Sequence, residues 1–427
     1  MSQNNSTTTQ KIYDVILIGA GMAGLKAAYD LQNKGLSVIV LEARDRIGGR
    51  IHTTTEFDAE FPIDLGAELV HTKVSPTWEL INSQNLKTTK LINDSDKNKS
   101  ADLVGFQEFF QALESKKIPY PKSAEDILSY LKRLEAEPQL IQEIEELTLD
   151  TENLDKINAL AVLNRFKQMV KDGEIIGAND FKIVGGYKQI YKILAEKLQI
   201  KLSKPVTLIN WESDECEVGT TDGNVYKSHK IVLTAPVAVL KKQNIKFVPE
   251  LPEAKKQAIE SFGVCDIVKI FLKFDEKILT PDVNILNVFE DEIPVWWKAT
   301  ITADENYKGE ILVGWLSADK ARKLYTLSKD EIIDVATKDL EKKLNKTNLK
   351  PVKSLVQIWK DEEFSLGAYS YIPAQVSPDI IEDLAKPIDN KIFWAGEATD
   401  PNYATVQGAY YSGKRVATEI YNSFNLK

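Results

Sequence analysis

The first sustained apolar run, Tyr13-Asp-Val-Ile-Leu-Ile18, lacks the polar gaps of a helical repeat. A short run of this kind predicts a strand buried on both faces, as in a parallel sheet. It ends at Gly19-Ala-Gly21-Met-Ala-Gly24, after which Leu25, Ala28 and Leu31 recur on one helical face until Gly35. Ser37-Val-Ile-Val-Leu41 predicts a second strand, closed by Glu42. Strand, helix and strand form a βαβ unit, and a right-handed crossover sets its strands parallel. From about residue 75 to 180 strand signals thin out and a Lys/Glu/Leu-rich helical pattern takes over. Gly185-Gly186 opens a further helical pattern on Tyr187, Ile190, Tyr191, Leu194 and Leu198. Short strands are predicted at 206–210, 216–220 and 230–234, with a turn at Asp222-Gly223, a hairpin or meander pattern. Strand-like segments recur at 267–274, 311–316 and 355–359. The chain closes with a strand at 392–395, a glycine turn at Gly396 and a helix from Gln407.

A chain of 427 residues is too long for one simple core and implies two or three lobes. With 43% hydrophobic and 27% charged residues it reads as soluble and globular. The formal charge of −9 argues against a nucleic-acid partner and suits cationic small molecules. Acids outnumber bases between Glu125 and Asp155, which reads plainly as a solvated helix face and more sharply as a funnel for cations. Cys216 and Cys265 are too few for a disulfide framework. His52, His71 and His229 have no metal-ligand spacing, so no metal is expected. The opening MSQNNSTTTQ lacks a signal-peptide plan and reads as a flexible tail, taken as residues 1–11. No apolar stretch approaches the ~20 residues that span a bilayer. A cytoplasmic protein without a membrane partner is the expectation.

Gly19-x-Gly21-x-x-Gly24 alone is a weak signal, but here it follows a strand and opens a helix. In that context the first glycine permits the tight turn and the second lets a pyrophosphate approach the backbone. The third allows close helix–strand packing. The helix start offers N–H groups and a positive dipole end to phosphates. Glu42, at the tip of the second strand, is placed to accept hydrogen bonds from a ribose. Arg44, Gly48-Gly49 and Arg50 follow it directly. Such a basic, glycine-bearing turn supplies a second set of pyrophosphate contacts when the cofactor continues inward to a flavin, so FAD is favoured over NAD.

At this point the sequence resembles the flavin-containing amine oxidases, the family of monoamine oxidases, polyamine oxidases and flavin-dependent lysine demethylases. The resemblance is carried by Val-Ile-Leu-Ile-Gly-Ala-Gly-Met-Ala-Gly-Leu, by Leu-Glu-Ala-Arg-Asp-Arg-Ile-Gly-Gly-Arg and by Asp64-Leu-Gly66-Ala67-Glu68. The most specific segment is Ile392-Phe-Trp-Ala-Gly-Glu-Ala-Thr399 followed by Tyr403-Ala-Thr-Val-Gln-Gly-Ala-Tyr410. The resemblance implies an α/β plus α+β fold, in which an FAD-binding Rossmann-like domain is interleaved with a substrate domain of helices and a mixed sheet. It places the FAD-binding domain at 12–78, 181–257 and 366–427, and the substrate domain at 79–180 and 258–365. It also implies that Gly66, Ala67, Gly396, Glu397, Thr405 and Val406 contact the cofactor, with Val206 near the adenine. Glu68 would point at the flavin or its ribityl chain. A helix start near Thr405 would also stabilise negative charge at the pyrimidine end of a reduced flavin.

By the same resemblance Lys269 matches a lysine that holds a water at the flavin. On a strand it would face opposite to Val268 and Ile270, and burial there would press its pKa down. Trp359 and Tyr369 match aromatics near the flavin, Tyr369 as one wall of a cage for the amine. Thr405 stands where monoamine oxidases carry the second cage aromatic, which weakens a monoamine-oxidase reading. Ala368 stands where they carry the cysteine bonded to FAD, so the flavin is expected to be noncovalent. His71 matches a histidine found beside the flavin in several polyamine oxidases, with a packed or surface role equally open. The implied activity is oxidation of a primary or secondary amine, leaning to di- or polyamines, with O2 reduced to H2O2. A homodimer is left open. L-amino-acid oxidases are the main alternative, but the Glu68-Leu-Val-His71-Thr stretch lacks their carboxylate-holding arginine. Desaturase-like or protoporphyrinogen-oxidase-like enzymes rank lower, and a nonenzymatic flavoprotein scaffold lowest.

Overall fold

The structure is a computed structural model that describes residues 11–71, 75–91, 104–148, 151–171, 180–281, 283–287, 291–304 and 306–425. Of residues 1–11, read from sequence as a tail, 1–10 lie outside the described residues.

The opening strand, Ile12–Ile18, is the centre of the large sheet. It pairs in parallel with Val38–Leu41 on one side and Val225–Leu233 on the other. Val225–Leu233 also pairs in parallel with Ile392–Trp394, and antiparallel with Cys216–Thr220, which leads on to Val206–Asn210 and Lys246–Val248. Strand alternation explains why the central strands are apolar throughout. Val15, Leu17, Val40, Val232 and Phe393 face one core, packed with the helices Met22–Asn33 and Val406–Asn425. Ile16, Ile18, Ile39, Ile231 and Trp394 face the other, which includes Ala258, Ile259 and Leu384 from the helices Glu253–Ser261 and Ile380–Ala385.

A second, five-stranded sheet is antiparallel throughout, in the order Ile285–Asn287, Val295–Lys298, Glu310–Ser317, Ile267–Phe274, Lys353–Ile358. Val268, Ile270, Leu272 and Phe274 pack with Ile332, Ala336 and Leu340 of the helix Lys329–Leu344. The opposite face carries Lys269 and Phe271, the latter packed with Trp297, Ile311 and Val313. Four helices, Val104–Glu114, Ile127–Arg133, Pro138–Leu147 and Ala159–Lys171, form a lobe around Phe106, Tyr130, Leu131, Ile144 and Phe166. A small sheet is ordered Val70–His71, Asp180–Ile183, Thr88–Lys90, its strands lying on either side of this lobe in the sequence.

Two expectations change in detail. The helical pattern after Gly186 becomes a 3-10 turn, Tyr187–Tyr191, and one helical turn, Lys192–Ala195. The Tyr187 and Lys188 N–H groups donate to Asp64 Oδ1 (3.1 Å) and Thr53 Oγ1 (3.0 Å), which fixes that start against the 53–64 hairpin. The 258–365 stretch, expected as a sheet, also contributes the helices Ala318–Leu324 and Lys329–Leu344. Among the described residues no helix is long and apolar enough to cross a membrane.

Candidate active site

A cavity of about 930 Å³ runs along the C-terminal ends of the central strands. At one end it meets the fingerprint loop. Gly19 has φ +105°, and a Cβ on Gly24 would lie 2.0 Å from the Gly19 carbonyl oxygen, so both positions require glycine. Beside Gly21 no atom lies within 4 Å of where a Cβ would stand. Gly21, Met22 and Ala23 line the cavity there, and no side chain caps the helix start. Its first-turn N–H groups, which no helix carbonyl can take, form a cradle suited to a pyrophosphate.

Glu42 is buried on the same wall. Its Oε2 accepts from Ala20 N (2.6 Å) and its Oε1 from Arg44 N (2.9 Å). That leaves a fixed carboxylate with lone pairs for ribose hydroxyls, next to Lys204 and Val206 on the cavity wall. The Arg44 guanidinium donates to Ser365 Oγ (2.9 Å). Arg50 Nη1 donates to Ala368 O (2.6 Å) and to Glu397 Oε1 (2.9 Å). Glu397 Oε2 accepts from Ser370 Oγ (2.6 Å) and Ala404 N (2.9 Å). This one carboxylate therefore ties together the arginine turn, the 368–370 segment and the approach to the last helix. Thr405 Oγ1 accepts from Gly408 N (2.9 Å) and caps that helix, with Thr405 and Val406 on the cavity wall.

Lys269 enters the same cavity from the five-stranded sheet and is 3% exposed. Its Nζ donates to Glu68 Oε2 (2.7 Å), Asp64 O (2.6 Å) and Gly66 O (3.2 Å). Glu68 Oε1 accepts from Lys182 Nζ and from Trp297 Nε1 (3.0 Å). Burial alone would raise the Glu68 carboxyl, but Lys182 and Lys269 outweigh it and hold the group well below the ordinary range. Burial lowers the Lys269 ammonium, against the pull of Glu68 and Asp64. Asp64 is pushed up to about 6 by burial and by the neighbouring Glu68 charge.

The structure gathers every residue singled out from sequence for this site onto the cavity wall, apart from Gly24, which packs behind the loop. Trp359 is buried, and its Nε1 donates to Leu65 O (3.1 Å), bracing the turn that carries Gly66. Tyr369 packs in a cluster with Trp315, Trp359 and Ala368. His71 remains substantially exposed, and its Nδ1 lies 2.8 Å from Asp180 Oδ1. Glu68, expected to point at the cofactor, also lines the cavity, with both of its oxygens engaged by protein donors. The reading from sequence missed Trp297, Trp315 and Lys182. Strand parity does give a signal for Trp315, because Ile311, Val313 and Trp315 alternate, and Trp315 sits opposite Lys269 in register. Nothing local marks Lys182.

The family profile described as flavin containing amine oxidoreductase matches residues 22–177 and 161–421. The chain belongs to this family. A polyamine oxidase of Arabidopsis thaliana is 30% identical over 95% of this chain and 87% of its own length. Lysine-specific histone demethylase 2 of Homo sapiens is also 30% identical over 95% of this chain, which spans only 53% of that protein. Among solved structures, a putrescine oxidase bound to putrescine superposes with TM-score 0.81 at 21% identity, covering 97% of this chain and all (100%) of that one. Cyclohexylamine oxidase from Brevibacterium oxydans superposes with TM-score 0.80 at 18% identity, over 97% of this chain and 100% of that one. In a flavin-containing amine oxidoreductase the cofactor is FAD, and the residues present fit it. An uncapped helix start faces open space at Gly21, the buried carboxylate of Glu42 stands on the same cavity wall, and so does the capped start of the last helix.

Proposed function

We propose that this protein oxidises a primary or secondary amine, preferentially a di- or polyamine, to an imine that water hydrolyses, with O2 reduced to H2O2. The observation that carries the reading is that one cavity is lined by Lys269, by the aromatic side chains Tyr369, Trp315, Trp359 and Trp297, and by the start of the last helix. The Gly19–Gly24 loop and the helix it opens would hold the FAD pyrophosphate, Glu42 the ribose, and Thr405 and Val406 the flavin end. Bound there noncovalently, since Ala368 offers no nucleophile, FAD supplies a two-electron acceptor for the carbon beside the amine nitrogen. Tyr369 and the tryptophans exclude water and present π faces that favour an amine-bearing carbon. With FAD held there, the positive end of the last helix would stabilise negative charge on the reduced flavin. Lys269 lines the same cavity, with its Nζ protons donated to Glu68, Asp64 O and Gly66 O.

The lean to di- or polyamines is supported by the −9 charge, by Glu146 on the cavity wall from the helical lobe, and by the polyamine oxidases among the relatives. The test is anaerobic mixing of the purified yellow protein with putrescine, spermidine, spermine, benzylamine, tyramine, a methyl-lysine peptide and L-amino acids. Bleaching of the flavin by a di- or polyamine, and peroxide on readmitting air, is expected. A flavin that only L-amino acids bleach, or that no amine bleaches, overturns the reading.

A further inference from the structure

The small sheet pairs the strand Asp180–Ile183 edge to edge with Val70–His71, just after Gly66–Leu69. Residues 180 and 182 share one face of that strand. Asp180 holds His71 (2.8 Å), and Lys182 holds Glu68, so alternate residues of one short strand each support a side chain of the cavity wall. Lys182 is 3% exposed, and its Nζ also donates to Ala299 O (3.2 Å). Glu68 thus bridges two buried lysines, with Trp297 Nε1 fixing the oxygen that Lys182 shares.

We infer that Lys182 is a positioning residue: through Glu68 it sets both the placement and the protonation of Lys269 at the flavin face. The inference rests on the functional reading above. A carboxylate rotates unless both of its oxygens are held, and Lys182 with Trp297 holds Oε1 so that Oε2 is presented to Lys269. Lys182 also competes for the charge of Glu68. Were Glu68 to serve Lys269 alone, the ammonium form of Lys269 would gain a whole counterion. With two lysines on one carboxylate, that form is weakened. The other charged group against Lys269 is Asp64, whose backbone oxygen it also contacts. On the flanking strands its register partners, Trp315 and Gln357, are uncharged. Farther along its own strand Lys273 is paired with Asp58 (3.0 Å).

The test compares Lys182→Met and Lys182→Arg holoenzymes with the unaltered protein. Two quantities are measured: the midpoint potential of the bound flavin, and the pH profile of anaerobic flavin reduction by the best amine. The Met variant leaves no orphaned charge, because Glu68 keeps Lys269 and Trp297, so FAD should stay bound. Its potential should move negative, since one positive charge near the reduced flavin is gone. The inflection of its pH profile should move up by about one unit. Lys182→Arg should restore both. A Met variant that binds FAD with unchanged potential and unchanged inflection overturns the inference. Should that variant not fold, Lys182→Gln, which keeps a donor without the charge, takes its place under the same expectations. Failure of both neutral variants to fold, with the Arg variant normal, also overturns the inference, because Lys182 is then a structural residue only. The potential is measurable against a dye with no amine present. Failure of the amine reading would therefore leave this question answered on its own terms.

Discussion

Lys269 owes its place to strand parity: its neighbours Val268 and Ile270 go to the core behind the sheet, so its own side chain must leave on the cavity side. Lys269→Met should keep FAD bound, because the dinucleotide cradle is untouched. It should slow flavin reduction or reoxidation by about 100-fold or more, the scale of a lost proton-handling group. Single-turnover absorbance in each half-reaction checks this, and unchanged rates in both would remove Lys269 from the chemistry. Glu42→Ala removes the carboxylate proposed to hold the ribose, and dialysis should then strip flavin from the variant while the parent stays yellow. Asp64 carries a pH signature. Its carboxyl rises from the ordinary 3.8 to about 6 through burial and the Glu68 charge. Between those values the folded chain keeps a proton that the unfolded chain has released. Its contribution to stability is therefore full below about 4 and is lost as pH rises through 6. Asp64→Asn should flatten that window, so its Tm relative to the parent should improve from pH 4 to pH 7. A Tm difference independent of pH would refute the assignment.

Elements with a two-sided burial requirement were the most legible in the sequence. The strands Ile12–Ile18, Val38–Leu41 and Ile267–Phe274 fall within a residue of where the apolar pattern puts them, because nearly every residue has a fixed side and a core to meet. The helical pattern after Gly186 was less reliable, because Asp64 and Thr53 capture the backbone N–H groups at its start. The acidic 125–155 stretch is likewise only partly a solvated face. Glu143 is buried and accepts from Phe106 N (2.8 Å), and Glu152 is buried against Arg322. The helix Lys329–Leu344, missed in the sequence, carries a full capping box between Ser328 and Glu331. Ser328→Ala should cost about 1 kcal/mol, read as a lower urea midpoint with unchanged slope. No loss would mean that packing on the sheet alone holds the helix.

At the scale of the whole molecule, the helical lobe is tied to the sheet that carries Lys269 through Arg322. Its guanidinium meets both oxygens of Glu152 (2.7 and 2.8 Å), Asp266 (3.1 Å) and Asp319 (2.6 Å). Asp266 immediately precedes the Ile267–Phe274 strand. Arg322→Met would leave buried Glu152 without its main partner and should cost roughly 3 kcal/mol. Limited proteolysis should then cut first within the 104–171 helices, and an unchanged cleavage pattern would show that the lobe is held by its apolar contacts instead.

The chain by itself determined the parts whose chemistry is local. A glycine spacing between a strand and a helix, a carboxylate at a strand tip and a parity of buried positions each follow from backbone geometry over a few residues. They fix the dinucleotide cradle, Glu42 and the cavity-side direction of Lys269. Tertiary structure alone decided what surrounds Lys269. Glu68, Lys182, Trp297 and Trp315 come from four separate segments, and their meeting depends on how the small sheet, the hairpin and the five-stranded sheet pack together. The electrostatics of that cluster depend on desolvation and on which ammonium a shared carboxylate faces, and neither exists until the chain is folded.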